Sequence, residues 1–447
     1  MSVNKSLYEE FIISSGDGST TVDIAAGVVN FTYYENLFSP VITARIVVVN
    51  TGGVVPGKDG KLQSLYNGLP LRGGERVSIK IAANSGTNQS LDFTEPTKNF
   101  YVSGIENVMI DGERESLVLN LVSREAITNE TVRVGKKFST DSNISNTVRD
   151  ILKNYIKTDK INQIETTMNN YGFIGNMKKP FQILTWLASK SISGESEESS
   201  GGNSAGFFFY QTKDGFNFRS IDSLVEQEPF DRDYRYAPNV ISTEDPNKDF
   251  KIIEYNINQN IDLMNKLERG AYSSQRYYIN PVSFAPYINH FKSSDYVDNI
   301  KTLGDNEVEF PSAPMSEIED DVSLGDTPTR IFTAMYDVGT LEENASKRGW
   351  NDPIERNADP SMIDAQSRMR YSLLHTQVAE IVVPLNTNLS AGTVIRCEFP
   401  RNDLEKRHVP DPDSSGLYMI KELSHYYDTE GSFTRLKLLR DTYGRKW

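Results

Sequence analysis

The chain carries the same strand pattern twice, and this constrains its fold more than any other feature of its 447 residues. Residues 71–81 read LRGGERVSIKI, and residues 389–399 read LSAGTVIRCEF. Each runs Leu, two residues, Gly, then an alternating strand. Gly74 matches Gly392, and Val77, Ile79 and Ile81 match Ile395, Cys397 and Phe399. A period of two puts those apolar side chains on one face. The match continues downstream. FYVSGIENVMIDGERESLVLNLVSRE begins at Phe100, 26 residues after Gly74, and LYMIKELSHYYDTEGSFTRLKLLRDT begins at Leu417, 25 residues after Gly392. Each is a strand, a polar turn (Asp111-Gly112, or Thr429-Glu430-Gly431) and a return strand. Three strands in the same order predict a duplication. Each copy must bury one face and hide its edges, which a closed or nearly closed antiparallel barrel does.

The remaining segments fit around that repeat. In VITARIVVV (41–49), Ile42, Ala44, Ile46 and Val48 share a face, after an aromatic-rich stretch that breaks at Pro40. The character changes near residue 125. Asn143 is placed to cap a helix with Ile144, Val148, Ile151, Leu152 and Tyr155 at helical spacing. Pro180 is placed to open a second, with Phe181, Leu184, Leu187 and Ala188 inward. SGESEESSGGNSAG (193–206) reads as an exposed low-complexity loop, and the next segment as a hairpin around Asp214-Gly215. Residues 250–280 alternate like strands. Residues 281–360 carry few regular signals, and from Thr302 to Thr329 there are eight acidic residues and no basic one. That run reads either as a solvated loop or as a docking surface for a basic partner. Ser361 would cap a helix over 361–375 with Met362, Ala365, Met369 and Leu373 as its stripe. The predicted class is mainly β with an α+β insert, as two related tube-like antiparallel β-barrels plus inserted domains. The predicted division is 1–125, first barrel; 126–235, α+β domain; 236–280, strands returning to the barrel region; 281–360, insertion of unknown role; 361–447, second barrel with a leading helix.

The side-chain chemistry argues for a non-enzymatic chain. The four histidines, His290, His375, His408 and His425, fall in different segments, with no His-x-x-x-His or Cys-x-x-Cys spacing for a metal. His425 reads as a strand-surface residue. The single cysteine, Cys397, excludes an internal disulfide and reads as a small buried hydrophobe. No nucleophile elbow and no phosphate-binding P-loop appears. DPDSSG (411–416) is acidic and turn-like but lacks the later glutamate of a calcium loop. No catalytic, cofactor-binding or metal residue is therefore assigned, and no cofactor is expected. Net charge is -14, unlike the basic face of a general nucleic-acid binder. No run reaches the roughly 18 apolar residues of a membrane helix, and the first residues lack the apolar core of a secretory signal.

Order, spacing and pattern together resemble the central baseplate hub protein of T4-type contractile phage tails. More distantly they resemble the N-terminal hub part of type VI secretion spike proteins. The resemblance rests on LVSREAITNETVRVGKKF (121–138) with the helix after it. It rests also on the helix at 361–375 leading into LNTNLSAGTVIRCEF, and on the closing hairpin 417–441. These cover about two thirds of the chain; 281–360 has no counterpart. The resemblance implies a homotrimer whose two barrels per chain present six units in a ring, because a threefold object imitates a sixfold one only with two similar units per chain. It implies a symmetry adaptor between the sixfold tail tube and the threefold central spike, with a channel through which DNA passes without specific binding. The implied partners are the spike or tail lysozyme protein, tube initiator proteins and wedge proteins docking on the insertion. The implied place is the virion tail baseplate, assembled in the host cytoplasm. The other reading open at this point is a β-rich receptor- or carbohydrate-binding tail protein, with Tyr33, Tyr34, Tyr426 and Tyr427 stacking on sugars.

Overall fold

The computed structural model describes residues 3–444 except 52, 54, 57–60, 70, 112–113, 140, 195–204, 237–247, 260–261, 280–283, 285, 298–299, 306–307, 309–324, 336–359 and 402–408. Twelve strands carry the fold. The first six are β1 (Tyr8–Ser14), β2 (Val28–Asn36), β3 (Thr43–Thr51), β4 (Arg76–Ile81), β5 (Phe100–Asp111) and β6 (Arg114–Ser123). The second six are β7 (Asp233–Tyr236), β8 (Glu254–Gln259), β9 (Gln377–Pro384), β10 (Val394–Glu398), β11 (Gly416–Tyr427) and β12 (Ser432–Arg440).

Hydrogen bonding orders the first set β2-β3-β6-β5-β4-β1 and the second β8-β9-β12-β11-β10-β7. Each strand thus has its counterpart six places later, and the duplication predicted from the sequence is a duplication of topology. The equivalence extends to single atoms. Gly74 N–H donates to Val102 O at 2.7 Å, and Gly392 N–H to Ile420 O at 2.8 Å. Val102 N–H donates to Glu75 O and Ile420 N–H to Thr393 O, both at 2.9 Å. Gly74 and Gly392 both hold a positive φ, +91° and +86°, which the turn into β4 and β10 requires. One difference stands: β1 runs antiparallel to β4, whereas β7 runs parallel to β10.

Each copy curls round its buried face as a tube-like barrel. Its two outermost strands meet through aromatic rings: Phe11 on β1 against Phe31 on β2, with centroids 5.6 Å apart, and Tyr236 on β7 against Tyr255 on β8, at 4.6 Å. The matched positions Val77, Ile79 and Ile81, and Ile395, Cys397 and Phe399, are all buried. Full burial of each such side chain contributes about 1.5–3 kcal/mol. One continuous core runs through both copies.

The long strands β5 and β11 each bend at a β-bulge. Ser103 is the extra residue in β5, between Val102 opposite Leu121 and Gly104 opposite Asn120. Lys421 is the extra residue in β11, between Ile420 opposite Leu438 and Glu422 opposite Lys437. A bulge re-aims the strand beyond it. In β11 the part before the bulge pairs with β10, and the part after it leaves its own barrel and pairs with β2. The two copies thereby share one sheet.

The α+β insert has its own core. Asn143 caps the helix Ile144–Ile151 by accepting from Asn146 N–H at 3.1 Å, as its spacing predicts. Pro180 opens the helix Pro180–Ala188. Both pack on the hairpin of Phe207–Thr212 and Gly215–Ser220. The third helix runs Pro360–Leu373 and buries Ala365, Met369 and Leu373. The cap and stripe expected of Ser361 and Met362 lie outside the described side chains, as do residues 195–204 of the low-complexity loop and Gly112 of the first turn. Between 281 and 335, where few signals were legible, strands Pro286–Lys292 and Arg330–Met335 flank Ser273–Ile279 in a small sheet. Residues 309–324 of the acidic run lie outside the described residues.

Candidate functional site

The seam between the copies carries a buried polar arrangement. Residues 422–427 of β11 lie antiparallel to residues 31–36 of β2, from Glu422 opposite Asn36 to Tyr427 opposite Phe31. Leu37 N–H extends the ladder by donating to Lys421 O at 2.8 Å. Beneath it Glu35 is buried. Its carboxylate accepts from Tyr33 Oη, the Lys213 N–H and the Ala391 N–H, each at 2.8 Å. One side chain thus ties the first copy to the tip of the α+β hairpin and to the turn before β10. Burial raises the Glu35 carboxyl above its ordinary value, against the three hydrogen bonds, which favour the charged form.

His425 faces Tyr33 across the seam, rings stacked with centroids 6.0 Å apart. The sequence places it at the strand surface; the structure corrects this, because His425 is 0% exposed. The hairpin β11–β12 alternates as predicted, but β2 lies alongside it and the α+β hairpin tip approaches it, so no surface remains. His425 Nδ1 lies 3.0 Å from Thr434 Oγ1, which itself accepts from the Asn386 N–H. Nε2 has no hydrogen-bond partner among the described residues. Burial, then the nearby Lys213 charge, hold the imidazole down at about 3, so it is neutral.

The opposite face of this sheet is a trough of about 1240 Å³ crossing β8, β9, β12, β11, β2 and β3. Glu254, Glu422, Arg45, Arg435 and Lys437 line it, and Glu35 borders it while its carboxylate stays on the buried face. Several pair on the surface: Lys437 lies 3.0 Å from Glu422 and 3.9 Å from Glu380. Tyr34 and Tyr426 line the trough, whereas Tyr33 and Tyr427 are buried and offer no face to a sugar.

The other singled-out residues are scattered. His290 sits on the small sheet, its Nε2 3.0 Å from Ser273 Oγ, and His375 follows the third helix with Nδ1 3.0 Å from Tyr371 O. His408 lies outside the described residues. Cys397 is buried, and burial pushes its thiol far up. Among the described residues no group of three His, Cys, Asp or Glu could hold a metal, and no helix is long and apolar enough to cross a membrane. The Glu35 clamp was missed from sequence. Its signal was present: Phe31, Tyr33 and Glu35 share the inward phase of β2, so a charge stands where the period demands an apolar residue.

A second buried pair fastens the third helix. Arg370 donates from Nη2 to Asp222 Oδ1 at 2.6 Å, joining that helix to the α+β insert. Next to the end of β12, the Asp441 carboxylate accepts from the Leu303 N–H at 2.8 Å.

No family model matches the chain. The probable baseplate hub protein gp334 of Vibrio phage KVP40 is 22% identical over 391 residues, covering 84% of this chain and 83% of that one. Among solved structures, the 43 kDa tail protein of prophage MuSo2 from Shewanella oneidensis superposes with a TM-score of 0.50 at 9% identity, over 97% of this chain and 100% of the other. A type VI secretion component of E. coli, c3393, aligns at a TM-score of 0.40 and 8% identity, over 94% and 76%. The resemblance read from the sequence therefore stands: this chain is similar in sequence to a phage baseplate hub protein and has the fold of a phage tail protein.

Proposed function

We propose that this chain is a non-enzymatic baseplate hub that works as a trimeric symmetry adaptor. Three chains bring six barrel units into a ring, which faces a sixfold tail tube on one side and a threefold central spike on the other. The duplicated six-strand unit carries this reading, because two equivalent units in one chain are what threefold-to-sixfold matching demands. The similarity to a phage baseplate hub protein supports the setting, a virion tail assembled in the host cytoplasm. The domain division 1–125, 126–235, 236–280, 281–360 and 361–447 belongs to the same proposal. So does a peripheral role for the 281–360 insertion in docking wedge proteins.

A channel for DNA would run along the troughs. Lys437 is ion-paired there with Glu422 at 3.0 Å, which weakens its pull on a passing phosphate.

Light scattering on the purified chain, alone and with the spike protein of the same phage, tests the proposal. A mass of three chains, free or on spike addition, is the expected result. A chain that stays monomeric with the spike overturns it and favours the receptor-binding reading.

A further inference from the structure

The seam uses only half of the strand edges that the duplication creates. The part of β11 after its bulge pairs with β2, so the second copy's long strand meets the first copy's outermost strand. The equivalent strands for the complementary contact are β5 after its bulge and β8. Both edges are open: among the described residues, Gly104–Asp111 pairs with β6 alone, and β8 with β9 alone. They lie in different barrels of one chain, and that chain's own seam is already filled.

We propose that the open edge of β5 (104–111) pairs antiparallel with the open edge of β8 (254–259) of a second copy of this chain. The register is the one that β11 and β2 use within the chain. This inference rests on the trimeric reading above and adds to it the interface. Each step round the ring is then the same strand pairing, alternately within a chain and between chains. The contact is head-to-tail, and it closes only if the rotation between units closes.

The register follows from the internal equivalences. Met109 lies opposite Ser116 as Tyr426 lies opposite Phe433. Asn256 lies opposite Glu380 as Thr32 lies opposite Arg45. Tyr426 pairs with Thr32, so Met109 is set against Asn256. By the same construction Glu106 is set against Gln259.

The edges themselves ask for a partner. Val108 and Met109 are 40% and 63% exposed on β5, and Glu254 and Asn256 are exposed on β8. A long open edge bearing apolar residues is a template for pairing, and proteins that stay monomeric blunt such edges. Half-buried Ile105, Tyr255 and Ile257 already pack on the common core from beside the two edges, so pairing would continue that core between chains. One feature distinguishes the contact from the internal seam. β5 carries a second irregularity between Glu106 and Met109, opposite Val118 and Ser116 of β6, and Asn107 holds φ 51° there. The interchain ladder therefore bends more than the internal one.

Paired cysteines test the register. The full-length chain with Met109→Cys and Asn256→Cys, in a Cys397→Ala background, is oxidised and run without reductant. The expected result is a covalent ladder ending at three chains, absent from either single-cysteine variant. Met109→Cys with Glu254→Cys, one step out of register on the same face, should cross-link at least tenfold more slowly. In the unmutated assembly, amides in 104–111 and 254–259 should exchange at least tenfold more slowly than in dissociated chains. A trimer by light scattering with neither cross-link nor protection overturns this interface and leaves the trimer standing. A monomer overturns both. Ladders running past three chains keep the pairing and overturn ring closure.

Discussion

His425 offers a quantitative test of the buried seam. Its imidazole sits at about 3 because burial disfavours the cation and Lys213 repels it. In the unfolded chain an ordinary histidine titrates near 6.5, so below that pH the unfolded state binds a proton that the folded state refuses. Stability attributable to this site is therefore complete above about pH 6.5 and falls as pH falls, at about 1.4 kcal/mol per pH unit, until the folded pKa is reached. At pH 4.5 the loss is about 2.7 kcal/mol. Phe at this position keeps a ring against Tyr33 and cannot titrate, while Thr434 keeps its bond from the Asn386 N–H. Urea unfolding of both proteins, followed by far-ultraviolet circular dichroism at pH 7.5 and 4.5, isolates the site, since every other group titrates in both. The unmodified chain should lose about 2.7 kcal/mol more than His425→Phe between the two pH values. Equal losses would refute the reasoning, because they would mean the imidazole accepts a proton inside the fold.

Three further outcomes follow from the same seam and repeat. Glu35→Ala leaves the Lys213 and Ala391 N–H groups buried without their acceptor, at about 1–3 kcal/mol each, and should lower the urea midpoint accordingly; a change below 1 kcal/mol would show that water replaces the carboxylate. Gly74→Ala and Gly392→Ala should differ although the positions are equivalent. A Cβ at Gly74 meets nothing within 4 Å, so only backbone strain of about 1–3 kcal/mol is felt, whereas one at Gly392 lies 2.8 Å from Tyr210 Oη and adds a clash. Thermal unfolding should rank Gly392→Ala below Gly74→Ala, and equal melting points would contradict the packing. Cys397, buried and with its thiol pushed up, should resist maleimide in the folded chain and react only in denaturant; rapid labelling without denaturant would show that β10 opens.

The seam explains why the two halves of the chain are equivalent without being interchangeable. β2 receives β11 from the same chain, while among the described residues the other edge of its counterpart β8 is open. Glu35 and the Tyr33–His425 stack belong to the filled position alone; the residue equivalent to Tyr33 is Ile257. The filled seam is flanked by buried polar groups, the Glu35 carboxylate with its three donors and the His425 imidazole against Thr434.

Much of this was written locally in the chain. Alternation at Val77, Ile79 and Ile81 and at Ile395, Cys397 and Phe399 declares strand faces, because side-chain direction in a strand depends on parity alone. Gly74 and Gly392 declare turns that need a positive φ, and Asn143 and Pro180 declare helix starts through local hydrogen bonding and fixed backbone angles. Their repetition made the duplication legible before any coordinates. Which strand lies beside which was not local. Parity identifies the two faces of β11 but not what covers them, so His425 read as surface and proved buried, stacked beside Tyr33 of β2. Glu35 likewise broke the inward phase of β2 with no local sign of its partners, since Lys213 and Ala391 come from segments far along the chain. The bulges at Ser103 and Lys421 set strand direction through one unpaired residue each, and only the assembled sheet shows that one of the two redirected edges is filled and the other left open.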